Sequence, residues 1–220
     1  MPTVAEMLAA VAPRPAGVRP APGGSRAERF ETKRLHGQTK RRLRRYIIPA
    51  NASILIEHLP APGEEVHWLL PGDFVFGELL PRLAAARGPF PRLTVSTLGM
   101  SAANLSAMVK LLDTGAAGRI VLLASSYWRA TDRQAVPAKL DAAALADSRL
   151  TVNYSRIHAK LVLAANDRGD AYVFAGSANL RSSGTIEQLT AWNDPELLAW
   201  HQAWMDGLAG GTDPLTGGHA

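Results

Sequence analysis

The 220-residue chain contains no cysteine. Disulfides and thiolate zinc sites are thereby excluded, and the composition fits a cytoplasmic protein. Nowhere do 18 apolar residues follow one another, so no membrane-spanning helix is expected. The start of the sequence lacks a basic stretch followed by an apolar core, which argues against a secretory signal. The six histidines, at 36, 58, 67, 158, 201 and 219, form no H-E-x-x-H pair or similar close ligand spacing. Neither a metal nor a cofactor is expected. No G-x-S-x-G elbow is present, so a serine hydrolase is not supported. There is also no internal repeat.

What is present is the composition of a globular protein, 47% hydrophobic and 20% charged, long enough for one α/β domain with a modest extension. The formal charge of +5 is unevenly placed. Residues 26–45 hold nine Lys or Arg against two Glu, a local +7 that leaves about −2 for the rest. Lys33, Arg34, Lys40, Arg41, Arg42, Arg44 and Arg45 form its dense part, preceded by Phe30 and followed by Tyr46. Such a cluster can neutralise several phosphates with release of counterions, which is the pattern of sequence-independent nucleic-acid binding. A solvated charged face, anionic lipid or an acidic partner are the other readings of the same run.

The candidate site lies between Ser155 and Gln188. Ile157, Ala159, Leu161 and Leu163 alternate with His158, Lys160 and Val162, the period-two pattern of a half-buried strand, which puts His158 and Lys160 on one side. The turn-rich run Asn166-Asp167-Arg168-Gly169-Asp170 leads into a second strand over 171–175. That strand ends in Gly176-Ser177-Ala178-Asn179, a small corner whose hydroxyl, amide and backbone N–H groups can gather round an anion. A lysine offers a point charge to phosphate oxygens, and Ser177 and Asn179 offer donors. An imidazole can attack phosphorus or carry a proton near neutral pH. Together these groups suit phosphate chemistry.

H-x-K followed by G-S-x-N and a downstream glutamate resembles the phospholipase D superfamily, which includes phosphodiesterases, nucleases and phosphatidyltransferases. By that resemblance His158 matches the nucleophilic histidine and Lys160 the phosphate-binding lysine. Ser177 and Asn179 match the second half of the phosphate cradle, and Glu187 the carboxylate that orients the histidine. The family's aspartate, seven residues after the histidine, is Ala165 here, with Asp167 two residues further on. The resemblance implies a metal-independent phosphodiesterase whose site needs two facing H-x-K motifs. This chain has one, and a C2 homodimer that faces His158 of each copy supplies the second. The expected function is a nuclease working through a phosphohistidine, with DNA ahead of RNA. A catalytically weak relative that only binds nucleic acid and a lipid phosphodiesterase or phosphatidyltransferase are the alternatives.

The remaining pattern predicts α/β architecture: a phospholipase D-like mixed, largely parallel sheet flanked by helices, with one motif per chain. Strands are expected over 53–59, 66–70, 93–98, 119–124 and 150–154. Asp73 is expected to cap a helix carrying Phe76, Leu79, Leu80 and Leu83, kinked or broken at Pro81. Ser101 caps a helix with a Leu105, Met108, Val109, Leu112 stripe, and another helix covers 136–146. Asp194-Pro195 opens a last helix with Leu197, Trp200, Trp204 and Leu208 along one side. The domain organisation expected is a flexible Ala/Pro/Gly-rich tail over 1–25, a basic segment over 26–46, the α/β domain over 47–209 and a flexible tail over 210–220.

Overall fold

The computed structural model describes residues 43–47, 52–70, 76–180 and 185–211. The expected tail over 1–25, most of the basic segment, the Asp73 cap and all but two residues of the expected C-terminal tail lie outside the described residues.

In chain order the elements are β1 (Leu43–Ile47), α1 (Ala52–Glu57), β2 (Glu64–Leu70), a 3-10 turn (Phe76–Glu78), α2 (Leu79–Arg87), β3 (Arg92–Thr97) and α3 (Ala102–Asp113). They continue with β4 (Ile120–Ser125), α4 (Ser126–Thr131), α5 (Val136–Ala146), β5 (Leu150–Ser155), β6 (Leu161–Ala165), β7 (Ala171–Gly176), β8 (Glu187–Asn193) and α6 (Pro195–Ala209). The eight strands among the described residues form one sheet in the order β1-β2-β8-β7-β6-β3-β4-β5. The sheet is mixed as expected but not largely parallel: β1/β2, β3/β4 and β4/β5 pair in parallel, and the other four pairings are antiparallel because β6, β7 and β8 follow one another as a meander between β2 and β3.

Both faces of the central strands are apolar, and each face has its own core. On one side Leu93, Val95, Ile120, Leu122, Val162, Tyr172 and Phe174 pack with Leu79, Leu83, Met108, Leu112 and Leu140 from the helices. On the other, Leu123, Leu161, Leu163 and Val173 pack under Met205, with Leu197, Leu198, Trp204 and Leu208 beside it. This double burial explains why β4 reads as a continuous apolar run rather than an alternation.

Several elements fall where the sequence places them. Ser101 accepts a hydrogen bond from the Asn104 N–H at 3.2 Å and opens α3. Asp194 accepts from the N–H groups of Glu196 and Leu197 and opens α6. Three others differ. Residues 52–57 form a helix instead of a strand, because β1 and β2 are parallel and their connection must cross over; Leu55 on the helix and Leu59 just after it are buried. Pro81 does not break α2, since it stands in the first turn, where its missing N–H has no helical partner to lose. On α6, Trp200 is 50% exposed, and the packed face instead carries Leu198 and Met205 with Leu197, Trp204 and Leu208.

Strand β1 is drawn from the end of the basic segment, a short, charged edge of the kind that discourages further pairing. Arg45 donates to Glu64 at 2.9 Å and to the His58 and Leu59 carbonyls at 3.3 and 3.1 Å. Arg44 stays 62% exposed, 3.8 Å from Glu65.

Candidate active site

The sheet order dictates where the histidine goes. Strand β5 is at the edge and β6 lies three places away, beside β3 and antiparallel to it. The chain must therefore cross the carboxyl ends of β4 and β3, about 14 Å at the usual strand spacing. Residues 156–160 make that crossing and can span roughly 17 Å when extended. They belong to no strand, which corrects the expectation that His158 and Lys160 sit within one. The facing set by the alternation survives: Ile157 and Ala159 join Leu161 and Leu163 in the core under α6. The crossing is pinned by the Ser96 hydroxyl, which donates to the Ala159 carbonyl at 3.1 Å, and by the Gly176 N–H, which donates to the Lys160 carbonyl at 3.3 Å.

His158 is exposed, whereas Lys160 is only 8% exposed and reaches up beneath the imidazole. Its ammonium donates to His158 Nδ1 and to the His158 carbonyl, each at 2.9 Å. Burial holds the Lys160 ammonium below its ordinary value of 10.5, and the Glu187 carboxylate offsets part of that shift.

Ser177, Asn179 and Glu187 arrive from β7, β8 and the segment between them. Register pairs Leu161 with Ala175 and Gly176 with Leu189, so the corner after β7 stands next to Lys160 and to the start of β8. A Cβ on Gly176 would collide with the Gln188 carbonyl, a close approach that requires glycine there. The Ser177 hydroxyl donates to Glu187 and accepts from the Gln188 N–H at 3.1 Å. Glu187 also accepts from the Thr185 hydroxyl at 3.3 Å. No hydrogen bond joins Glu187 to His158 within this chain among the described residues; Glu187 acts instead on Ser177 and, through its charge, on Lys160. Asn179 Oδ1 accepts from the Leu98 N–H at 3.2 Å, which fixes the amide with Nδ2 as its donor end.

Ala165 lies at the opposite end of β6, paired with Arg92 and Ala171, roughly 15 Å of strand from His158. The absent aspartate therefore leaves this edge untouched. Its end of the sheet is knotted by Asp170, which accepts from Asn166 at 3.0 Å and Asn193 at 3.1 Å. Burial raises the Asp170 carboxyl, but these bonds, one from Tyr172 and the Arg87 charge outweigh it and hold the group below its ordinary value.

Beside His158 an open cleft of about 520 Å³ is walled by Leu98, Ser125, Ser126, Tyr127, Arg156 and Ile157. None of these is singled out by the sequence. Their signal is positional: Leu98 follows β3 and Ser125 ends β4, at the carboxyl ends of parallel strands, where α/β sheets collect ligands. Of the basic residues named above, Arg44 and Arg45 lie on β1, and Lys33, Arg34, Lys40, Arg41 and Arg42 lie outside the described residues. Among the described residues no helix is long and apolar enough to cross a membrane.

No protein-family model matches this sequence, and no curated protein matches it. Solved structures do. NucT from Helicobacter pylori is 12% identical with a TM-score of 0.50, over 66% of this chain and 94% of that one. A polyphosphate kinase from Porphyromonas gingivalis is 14% identical with a TM-score of 0.53, over 78% of this chain and 31% of that one. Nuc from Salmonella typhimurium, a phospholipase D family member, is 16% identical with a TM-score of 0.46, over 60% of this chain and 84% of that one. At such identities the likeness concerns the fold alone. That fold is a mixed α/β sheet flanked by helices.

Proposed function

We propose that the chain is a metal-independent phosphodiesterase that cleaves nucleic acid, DNA ahead of RNA, through a phosphohistidine at His158. The observation that carries this reading is the convergence of His158, Lys160, Ser177, Asn179 and Glu187 at one end of the central strands of the sheet. A His158 ring nitrogen attacks phosphorus, and a P–N bond forms as the P–O bond to the leaving strand breaks. The leaving oxygen takes its proton from His158 of the partner subunit, since one chain supplies one histidine. That second imidazole then accepts a proton from water, which attacks phosphorus, breaks the P–N bond and releases a phosphomonoester. Lys160 and the Asn179 amide hold the equatorial oxygens while charge builds on them. Ser177, tied to Glu187, completes the cradle.

The basic run Lys33, Arg34, Lys40, Arg41, Arg42 and Arg44 neutralises the nucleic-acid backbone. Arg45, engaged with Glu64, adds charge rather than a free donor. The test is cleavage of plasmid and oligonucleotide in EDTA by wild type and His158→Ala. Cleavage by wild type alone is expected, and equal cleavage by both would overturn the reading. Hydrolysis of phospholipid vesicles with nucleic acid left intact would move the site to lipid substrates.

A further inference from the structure

We propose that Tyr127 forms a base-stacking wall beside His158, with Arg156 holding the phosphodiester next to it, which makes single-stranded nucleic acid the preferred ligand. The inference rests on the nucleic-acid reading above and adds the form of the substrate. In α4, Trp128 turns inward, 7% exposed, and its ring packs where a Cβ on Gly99 would lie. The residue before it, Tyr127, consequently faces out at 69% exposure and lines the cleft shared with His158.

The backbone that presents Tyr127 is held on several sides. Arg129 pairs with Asp141 at 3.0 Å and lies 4.3 Å above the Tyr154 ring, and the Tyr154 hydroxyl donates to Asp141 at 2.9 Å. Trp128 Nε1 donates to Asp132 at 3.2 Å. An aromatic side chain on a fixed backbone loses little freedom when a base stacks on it. The cleft wall carries Arg156 and His158 and no carboxylate, so its charge suits a phosphodiester. A base inside a duplex has both faces covered by its neighbours. Only an unpaired base offers a face to Tyr127 while its own phosphate sits at His158.

The test measures binding of the His158→Ala chain to a DNA oligonucleotide and to an equally long strand of tetrahydrofuran abasic residues, by fluorescence anisotropy at one fixed salt concentration. Adding Tyr127→Ala should cut the preference for the base-bearing strand by about 5- to 150-fold, the range of one lost stack. Tyr127→Phe should keep the preference, and Arg156→Ala should weaken both strands together. Thermal melts of each variant establish that it is folded. An unchanged preference in folded Tyr127→Ala overturns the wall. So does loss of binding to phosphatidylglycerol vesicles with both strands unaffected. Turnover by wild type judges the nuclease reading separately. If wild type cleaves and the preference stays, only the stacking wall falls; if it never cleaves, the binding ratio still decides the wall.

Discussion

Replacing Lys160 by methionine separates a phosphate-binding role from a structural one, because the two make opposite demands. The ammonium is 8% exposed and makes two 2.9 Å hydrogen bonds to His158, one to the ring and one to the carbonyl. Losing them removes about 1 kcal/mol each. Against that, methionine fills a similar volume and removes a cation whose charged form burial disfavours. The net change in stability is about 1 kcal/mol in either direction, a Tm shift of roughly 2–4 °C. The barrier responds differently. Removing one donor aimed at charge that develops in the transition state costs about 3–4 kcal/mol, so kcat should fall roughly 100- to 1000-fold. The native Lys160 value lies below 10.5, so the unfolded chain keeps a proton that the native chain has released between the two values. The penalty is full below the native value and is relieved as pH rises through that window, so wild type gains stability there and Lys160→Met lacks that gain. Denaturant melts across pH 7–11 together with single-turnover cleavage measure both sides. A Tm loss above about 10 °C with near-normal turnover per folded molecule would show that Lys160 holds the crossing and does not serve phosphate.

Three further outcomes follow from the packing. Asp194→Ala leaves two helix N–H groups without their cap and should cost about 1 kcal/mol in urea melts, with turnover per folded molecule unchanged. Met205→Ala empties the fully buried centre of the core under α6 and should cost about 2–5 kcal/mol, read in the same melts. Asp170 is held below 3.8 in the native chain, so its contribution is present above that value and is lost as pH falls through the native one. Asp170→Asn should therefore flatten the acid limb of the stability profile, and an unaltered limb would place the acid sensitivity elsewhere.

How much of this was legible in the sequence depended on whether local signals were sufficient. Caps were, because Ser101 and Asp194 act on N–H groups two or three residues away. The pairing of His158 with Lys160 was also legible, since alternation sets which side chains share a side whether or not the segment joins a ladder. The crossing itself was not. That residues 156–160 bridge from β5 to β6 follows from strand order, which no local pattern carries. The helix over 52–57 was hidden for the same reason, since its cause is the parallel pairing of β1 with β2. Tyr127 carries no local signal, because its place depends on the inward turn of Trp128 and the nearness of a histidine 31 positions further along the chain.

The central claim is that the imidazole of His158 bonds to phosphorus during turnover. Rapid mixing of the protein with an oligonucleotide labelled at one internal phosphate, quenched in alkaline denaturant where phosphohistidine survives, tests this directly by peptide mapping. Transient label is expected on the peptide bearing His158, and none in the His158→Ala chain. Steady turnover with no labelled peptide, or label on a different residue, would contradict it.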